Sequence, residues 1–273
     1  MKSSKNKKLK GQDGFEQYYS TLFGARWISL KTALLQPINH FTLHENLKAP
    51  YFLDKASFYA ATSLPFLEDG ICLDMCAAPG GKTLVLISKQ LGEKAQLQAN
   101  ELSLQRSNRL KAVLNEHLFK TDYERVTVSH FDGAKMAQGA REKYDRILLD
   151  APCSSERHVL QSQKHLSEWS ESRVKNLSIR QWALLSSAFL LLKPLGYLLY
   201  STCALSELEN DFVVEKLTKK YKNALVKPLE PVEQAEPTKH GLIFLPDTSH
   251  YGPLYFSLIQ KIATASDEGF RKC

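Results

Sequence analysis

Two short motifs place a cysteine where it could do chemistry. Asp150-Ala151-Pro152-Cys153 closes one apolar run, and Ser201-Thr202-Cys203 closes another. A single cysteine at such a place is usually a small buried hydrophobe. Two of them at the ends of two runs, one beside an acid, suggest thiols that face one pocket. The chemistry such a thiolate could serve is covalent catalysis. Carbon 5 of cytosine is too weak a nucleophile to take a methyl group directly. A thiolate that adds to carbon 6 makes carbon 5 enamine-like, able to attack a sulfonium methyl. Loss of the carbon 5 proton and departure of the thiolate complete the reaction. Asp150 could hydrogen-bond the ring nitrogen or amine of such a base. Lys82 could contact the base or favour the thiolate.

The stretch LDMCAAPGGKT (73–83) is a second signal. It ends like a Walker A loop, but that pattern needs glycine where Cys76 stands. Nothing beside Lys82 reads as a holder of Mg²⁺ and a triphosphate. A cationic adenosyl ligand, S-adenosylmethionine, fits better. Its carboxylate could sit on the N–H groups of a turn built from Cys76, Ala77, Ala78, Pro79, Gly80, Gly81 and Lys82. Glu101, about 20 residues further on, could accept from a ribose diol. Asp132 could accept from an adenine amine. The competing reading of each acid is a helix N-cap or a solvated loop carboxylate.

These residues need a scaffold that brings them to one edge. From residue 70 onward, strand and helix patterns alternate, which predicts a parallel α/β sheet. Strands are expected at ICLDM (71–75), AQLQANEL ending near Glu101, VTVSHFDG ending at Asp132, YDRILLDAPC ending at Asp150, and YLLYSTC ending at Cys203. Ligands of such sheets bind at the carboxyl ends of the strands. Helices are expected at LVLISKQLG, ending at Gly92, at SLQRSNRLKAVLNEHL, and at VKNLSIRQWALLSSAFLLL, stopped by Pro194 and Gly196. Residues 154–172 read as a long polar loop. Ser206 and Glu209 form a capping box for NDFVVEKLTKKY. GLIFLP and PLYFSLIQKI read as a closing strand pair. Residues 1–12 read as a disordered basic tail, and 13–50 as a small helical cap broken at Pro37 and Pro50. The division is thus an extension at 1–50 and a catalytic domain at 51–273.

The chain has 273 residues, 43% hydrophobic and 24% charged, enough for one large α/β domain plus an extension. No apolar run approaches the roughly 18 residues of a membrane span. The net charge of +7 suits a polyanion such as RNA or DNA. Five scattered cysteines without a C-x-x-C pair argue against a zinc site and against a disulfide framework. No metal is expected. The start MKSSKNKKLK has no apolar segment, and its lysines without arginine match a transit peptide poorly. A bacterial-type cytoplasm is the expected compartment, with a mitochondrion as the alternative.

CAAPGGK (76–82), the pair Glu101 and Arg106, FDG (131–133), DAPCS (150–154) and STC (201–203) occur in one order. In these motifs the chain resembles the RNA cytosine-5 methyltransferases of the NSUN/RsmB type, over about residues 50 to 262. The resemblance implies a class I, Rossmann-like methyltransferase sheet that uses S-adenosylmethionine. It implies Cys203 as the nucleophile on carbon 6, Cys153 in product release, and Asp150 in base binding. It implies residues 76–82, Glu101 and Asp132 as cofactor contacts, with Arg106 a weaker transfer that a surface arginine would equally explain. Many members carry Asp where this chain has Glu101. DAPCSSERH, with Arg157 and His158, is most similar to the short ribosomal-RNA branch. The implied substrate is ribosomal RNA, with tRNA the alternative and a ribosomal or accessory protein as a further partner. A ribosome assembly factor that keeps the fold without catalysis is the rival from another class. Intact Cys153 and Cys203 argue against it. A DNA cytosine methyltransferase is disfavoured by the added Cys203.

Overall fold

The computed structural model describes residues 9–263. Helices α1 (Gly11–Phe23) and α2 (Trp27–Leu35) open the chain, followed by the hairpin β1 (His40–Leu43) and β2 (Tyr51–Asp54) and by α3 (Lys55–Thr62). The parallel part runs β3 (Ile71–Asp74), α4 (Gly81–Val85), β4 (Gln96–Asn100), α5 (Leu104–His117), α6 (Lys120–Glu124), β5 (Val126–Ser129) and β6 (Tyr144–Asp150). It continues through α7 (Glu156–Leu160), α8 (Gln163–Glu168), α9 (Glu171–Leu191), β7 (Leu192–Thr202) and α10 (Asp211–Lys220). The chain then adds β8 (Ala224–Lys227), β9 (Ala235–Pro237), β10 (Leu242–Phe244), α11 (Pro246–Ser249) and β11 (Leu254–Lys261).

The main sheet has the order β5-β4-β3-β6-β7-β11-β10-β9, with β8 also on β11. Strands β3 to β7 are parallel, and β11 returns antiparallel to β7. The strand order reverses between β3 and β6, which opens a crevice at their carboxyl ends. Alternating side chains divide the core in two. Ile147, Leu149, Leu198 and Tyr200 face the layer of α1, α2, α9 and α10. Cys72, Leu148 and Leu199 face the layer of α3, α4 and α5. This is the doubly wound Rossmann-like α/β sheet expected, carrying N-terminal helices. Phe15 and Tyr19 of α1 are fully buried and pack with Trp27 and Trp169. No helix of the described residues is long and apolar enough to cross a membrane.

Several expectations need correction. Residues 1–8 and Cys273 lie outside the described residues, but positions 9–12 of the expected tail are structured. Lys10 pairs with Ser170, and Gly11 starts α1. The 154–172 segment is not a polar loop: α7 and α8 form there because Val159, Leu166 and Trp169 are buried in the core. The third strand stops at Ser129, and Asp132 caps the 3₁₀ turn Gly133–Gln138. The helix after the glycine turn ends as a π turn at Leu86–Gln90 rather than at Gly92. Pro194 and Gly196 do not lie beyond the strand's start. β7 begins at Leu192, and the two residues fall in a register shift between the Tyr144 and Arg146 pairings, where a missing N–H costs no ladder bond. The capping box is absent: Asn210 caps α10 without a side-chain bond, and Glu209 is fully buried elsewhere.

Candidate active site

The crevice is a cavity of about 710 Å³, and a smaller one of about 160 Å³ shares its Lys82 and Asp150 wall. β6 and β7 are parallel neighbours with Asp150 opposite Ser201. This register carries Cys153 and Cys203 to the same rim. Their sulfurs are 2.8 Å apart, and both line the larger cavity. The Ser155 hydroxyl lies 3.1 Å from the Cys203 sulfur and 3.6 Å from that of Cys153. The contact with Cys203, together with burial, pushes the Cys153 thiol well up. A proton therefore stays on Cys153 more readily than on a free thiol.

Asp150 sits between two partners. Its Oδ2 accepts from Lys82 Nζ at 2.7 Å, and its Oδ1 accepts from Ser201 Oγ at 2.9 Å. Burial opposes the Lys82 charge, but Asp150 outweighs it and the ammonium pKa goes up. Lys82 thus stays cationic beside the sulfurs, where it can hold a base carbonyl or favour a thiolate.

The glycine turn that carries Lys82 forms part of the same wall. Gly80 has φ 120°, a conformation that L side chains rarely adopt, and a Cβ there would meet Leu110 and Val113 of α5. Cys76, Ala78 and Pro79 line the larger cavity, while Ala77 and Gly81 line the smaller one. Burial pushes the Cys76 thiol up, so it is an inert wall rather than a nucleophile. Glu101 is 3% exposed and lines the larger cavity. Its Oε1 accepts from Ser103 N at 2.9 Å, and its Oε2 is buried without a hydrogen bond. A buried carboxylate oxygen with no donor is what a diol would satisfy. Arg106 donates to the Ala78 carbonyl at 2.7 Å and lies 3.5 Å from Glu101. It joins the glycine turn to that acid from a half-exposed position on α5. These residues fit an adenosyl cofactor.

Asp132, like Gly80, does not itself line either cavity. It accepts from Ala134 N at 3.1 Å and pairs with Arg180, which holds its carboxyl below the usual range. Arg180, Phe131 and Gly133 line the cavity instead. His158 lines the cavity and packs against His165 with the rings tilted by 44°, while Arg157 donates to the Gln36 carbonyl at 2.7 Å.

Some members of the site escaped sequence reasoning. Asp74 ends β3 and is buried, accepting from Thr83 Oγ1 at 2.7 Å with its other oxygen unpartnered. Burial pushes its carboxyl up to about 7. An acid inside the apolar run ICLDM was the available signal. Asn100 ties three strand ends together through Met75 O, Phe131 O and Phe131 N, at 3.0–3.1 Å. Asp54 caps α3 and accepts from Gly252 N at 2.6 Å, which places the hairpin end on the cavity wall. No sequence pattern announced that contact across 198 positions. Among the described residues no cluster of three metal-type side chains occurs.

A family model described as "16S rRNA methyltransferase RsmB/F" matches residues 61–260. The chain belongs to this family. "Ribosomal RNA small subunit methyltransferase F" of Erwinia tasmaniensis is 33% identical over 246 residues, covering 87% of this chain and 50% of that protein. "5-cytosine rRNA methyltransferase NSUN4" of Bos taurus is 40% identical over 170 residues, covering 60% of this chain and 44% of that protein. The chain spans about half the length of the curated relatives it matches. A solved "Methyltransferase Homolog Protein from Pyrococcus Horikoshii" superposes with TM-score 0.71 at 20% identity, covering 91% of this chain and 94% of that one. That likeness confirms the fold of the RsmB/F member described here.

Proposed function

We propose that this protein is an S-adenosylmethionine-dependent RNA cytosine-5 methyltransferase that acts on ribosomal RNA through a covalent cysteine adduct. The observation that carries the reading is the contact of the Cys153 and Cys203 sulfurs in a cavity that also holds Lys82–Asp150 and the unsatisfied Glu101. The names of the relatives support the substrate class. One relative at 30% identity, from Mus musculus, is named a mitochondrial tRNA (cytosine(34)-C(5))-methyltransferase, which keeps tRNA as the second reading.

Residues 76–82, Glu101 and Arg106 would hold the cofactor, which when bound supplies an electrophilic methyl group. Glu101 Oε2 would accept from the ribose hydroxyls. Asp132 is committed to Arg180, so its part in binding would pass through that ion pair. The Cys203 thiolate adds to carbon 6 of the cytosine and forms the S–C bond. Asp150 holds the base edge, and Lys82 balances the charge that builds on the ring. After methylation a base takes the carbon 5 proton, the S–C bond breaks, and Cys203 leaves as thiolate. Cys153, in contact with Cys203, assists that release. Residues 1–50 act as an extension on a catalytic unit of 51–273, in a bacterial-type cytoplasm, with a ribosomal or accessory protein as a further partner.

The test is Cys203→Ala. Methyl transfer to substrate RNA is expected to vanish while cofactor binding, measured by calorimetry, stays unchanged. Undiminished transfer would remove Cys203 from the mechanism.

A further inference from the structure

Next to Glu101 the crevice holds a slot that the motifs leave without a polar reader. Leu102 follows β4, and Phe131 follows β5. Both line the larger cavity, and they are 53% and 62% exposed. A single exposed apolar side chain needs no explanation, but two that line one cavity offer a surface to a flat apolar ring. The buried Met75 and Leu184 line the same cavity. Gly133 lies against them: a Cβ there would come within 2.9 Å of Met75 and 3.0 Å of Leu184. Asn100 holds Phe131 in place, accepting from its N–H and donating to its carbonyl, each at 3.0 Å. It also donates to Met75 O at 3.1 Å. Glu101 stands between Asn100 and Leu102 in the chain. A nucleoside's base is attached one carbon away from the 2′-hydroxyl carbon. A diol held by Glu101 Oε2 therefore leaves its base at this slot.

The side chain free to act at the slot is a donor, not an acceptor. Arg180 lies one turn before Leu184 on α9, and its side chain is 33% exposed and lines the cavity. Asp132 lies behind it. Its Oδ1 accepts from Ala134 N and from Arg180 Nη2, and its Oδ2 accepts from Arg180 Nη1 at 3.4 Å. Asn100 Oδ1 is taken as well, by Ser129 Oγ and Phe131 N. A guanidinium has five N–H donors, and among the described residues only Asp132 accepts from that of Arg180. A purine offers ring nitrogens that accept, and adenine adds one amine that donates. Arg180 matches the ring nitrogens.

We propose that Arg180 is the residue that recognises the purine of the cofactor: the ring lies in the slot of Met75, Leu102, Phe131 and Leu184, Arg180 donates to a ring nitrogen, and Asp132 acts by holding Arg180. This moves the base contact from Asp132 to a residue outside every motif. The ion pair sets the planar guanidinium in one orientation before the ligand arrives, so little side-chain freedom is lost on binding. The inference deepens the reading of the crevice as an S-adenosylmethionine site and rests on it.

The experiment is titration calorimetry of the full chain, without RNA, with two ligands. One is S-adenosylhomocysteine, and the other is its counterpart with hydrogen in place of the purine 6-amine. The wild type is expected to bind the two within about twofold of each other, because among the described residues no side-chain acceptor at the slot is free for the amine. Arg180→Met, which keeps bulk and removes the donors, is expected to weaken both ligands about tenfold, the worth of one hydrogen bond. Asp132→Asn, which loosens the ion pair, is expected to weaken both alike, by about threefold. A wild-type preference of about tenfold for the aminated ligand overturns the proposal. So does a folded Arg180→Met protein with wild-type affinity. A loss in Asp132→Asn confined to the aminated ligand also overturns it, because Asp132 would then be reading the amine. The two-ligand comparison on the wild type needs no variant, so the test stands should Arg180→Met fail to fold. A wild type that binds neither ligand would sink the cofactor reading together with this inference. Binding in which Arg180 has no part would sink this inference alone.

Discussion

Glu101→Gln isolates the contact on which cofactor recognition turns. In the free protein Glu101 Oε1 is engaged by Ser103 N, and Arg106 stands 3.5 Å away from Oε2, too far for a good hydrogen bond. Oε2 is thus the acceptor left for a ribose hydroxyl. The amide oxygen of Gln can keep the Ser103 bond, so the fold should hold. Its NH₂ group would then meet a hydroxyl that needs an acceptor. One charge-assisted hydrogen bond lost to a buried partner costs about 1.5–3 kcal/mol. Affinity for S-adenosylmethionine should fall roughly 10- to 150-fold. At a cofactor concentration of about 100 times the wild-type Kd, bound ligand stabilises the wild-type protein by about 2.7 kcal/mol, and the variant by about 1.4 kcal/mol or less. Calorimetry gives the affinity, and a melting curve with and without cofactor gives the stabilisation. The unliganded melting temperature is the control for folding. An unchanged affinity in a folded variant would refute the assignment of Glu101 to the diol and weaken the adenosyl reading of the whole crevice.

Cys153→Ala should trap a covalent RNA adduct that migrates as a shifted band on a denaturing gel, since release is slowed after attack. Absence of the adduct with a substrate RNA methylated by the wild type would end the release role. Asp74→Asn probes an acid whose carboxyl burial has raised to about 7. Between about pH 4 and pH 7 the folded wild type keeps a proton that the unfolded chain gives up, so wild-type stability falls as pH rises. The Asn variant escapes that loss. Its advantage over the wild type should grow across this window and level off above it, reaching roughly 4 kcal/mol at most. A difference that stays constant with pH in denaturant melts would contradict the burial argument. Phe15→Ala removes a fully buried ring from the cluster of Tyr19, Trp27 and Trp169. It should cost about 3–5 kcal/mol and lower the melting temperature by roughly 6–15 °C. A loss under about 1 kcal/mol would mean that α1 is not part of the cooperative core.

The sequence by itself determined the parallel sheet and which strand ends carry chemistry. Ile147, Leu148 and Leu149 form a run apolar on both faces, which only a doubly covered strand tolerates. The polar residues that end such runs, Asp150 and Cys203, had nowhere to go but the crevice. Local composition also marked the glycine turn, because φ 120° at Gly80 excludes other residues. Segment 154–172 misled because its polarity is real: His158 and Lys164 are exposed, and only the burial of Val159, Leu166 and Trp169 makes helices of it. Periodicity gave Glu209 to a capping box because spacing records local bonds. Its actual partners, Ser154 and Gln181, lie 55 and 28 positions away.

Tertiary structure alone decided which carboxylate oxygens are left without a hydrogen bond. Asp132 and Glu101 look alike in sequence, each following a strand. Folding sets Arg180 against Asp132 and leaves one oxygen of Glu101 unanswered. It also decided how close the sulfurs come, since the register of Asp150 on Ser201 places them and is set by the whole β6–β7 ladder. A motif fixes the kind of group at a strand end. The distance between two such groups, and the charge each carries, belong to long-range packing and burial, which no local window contains.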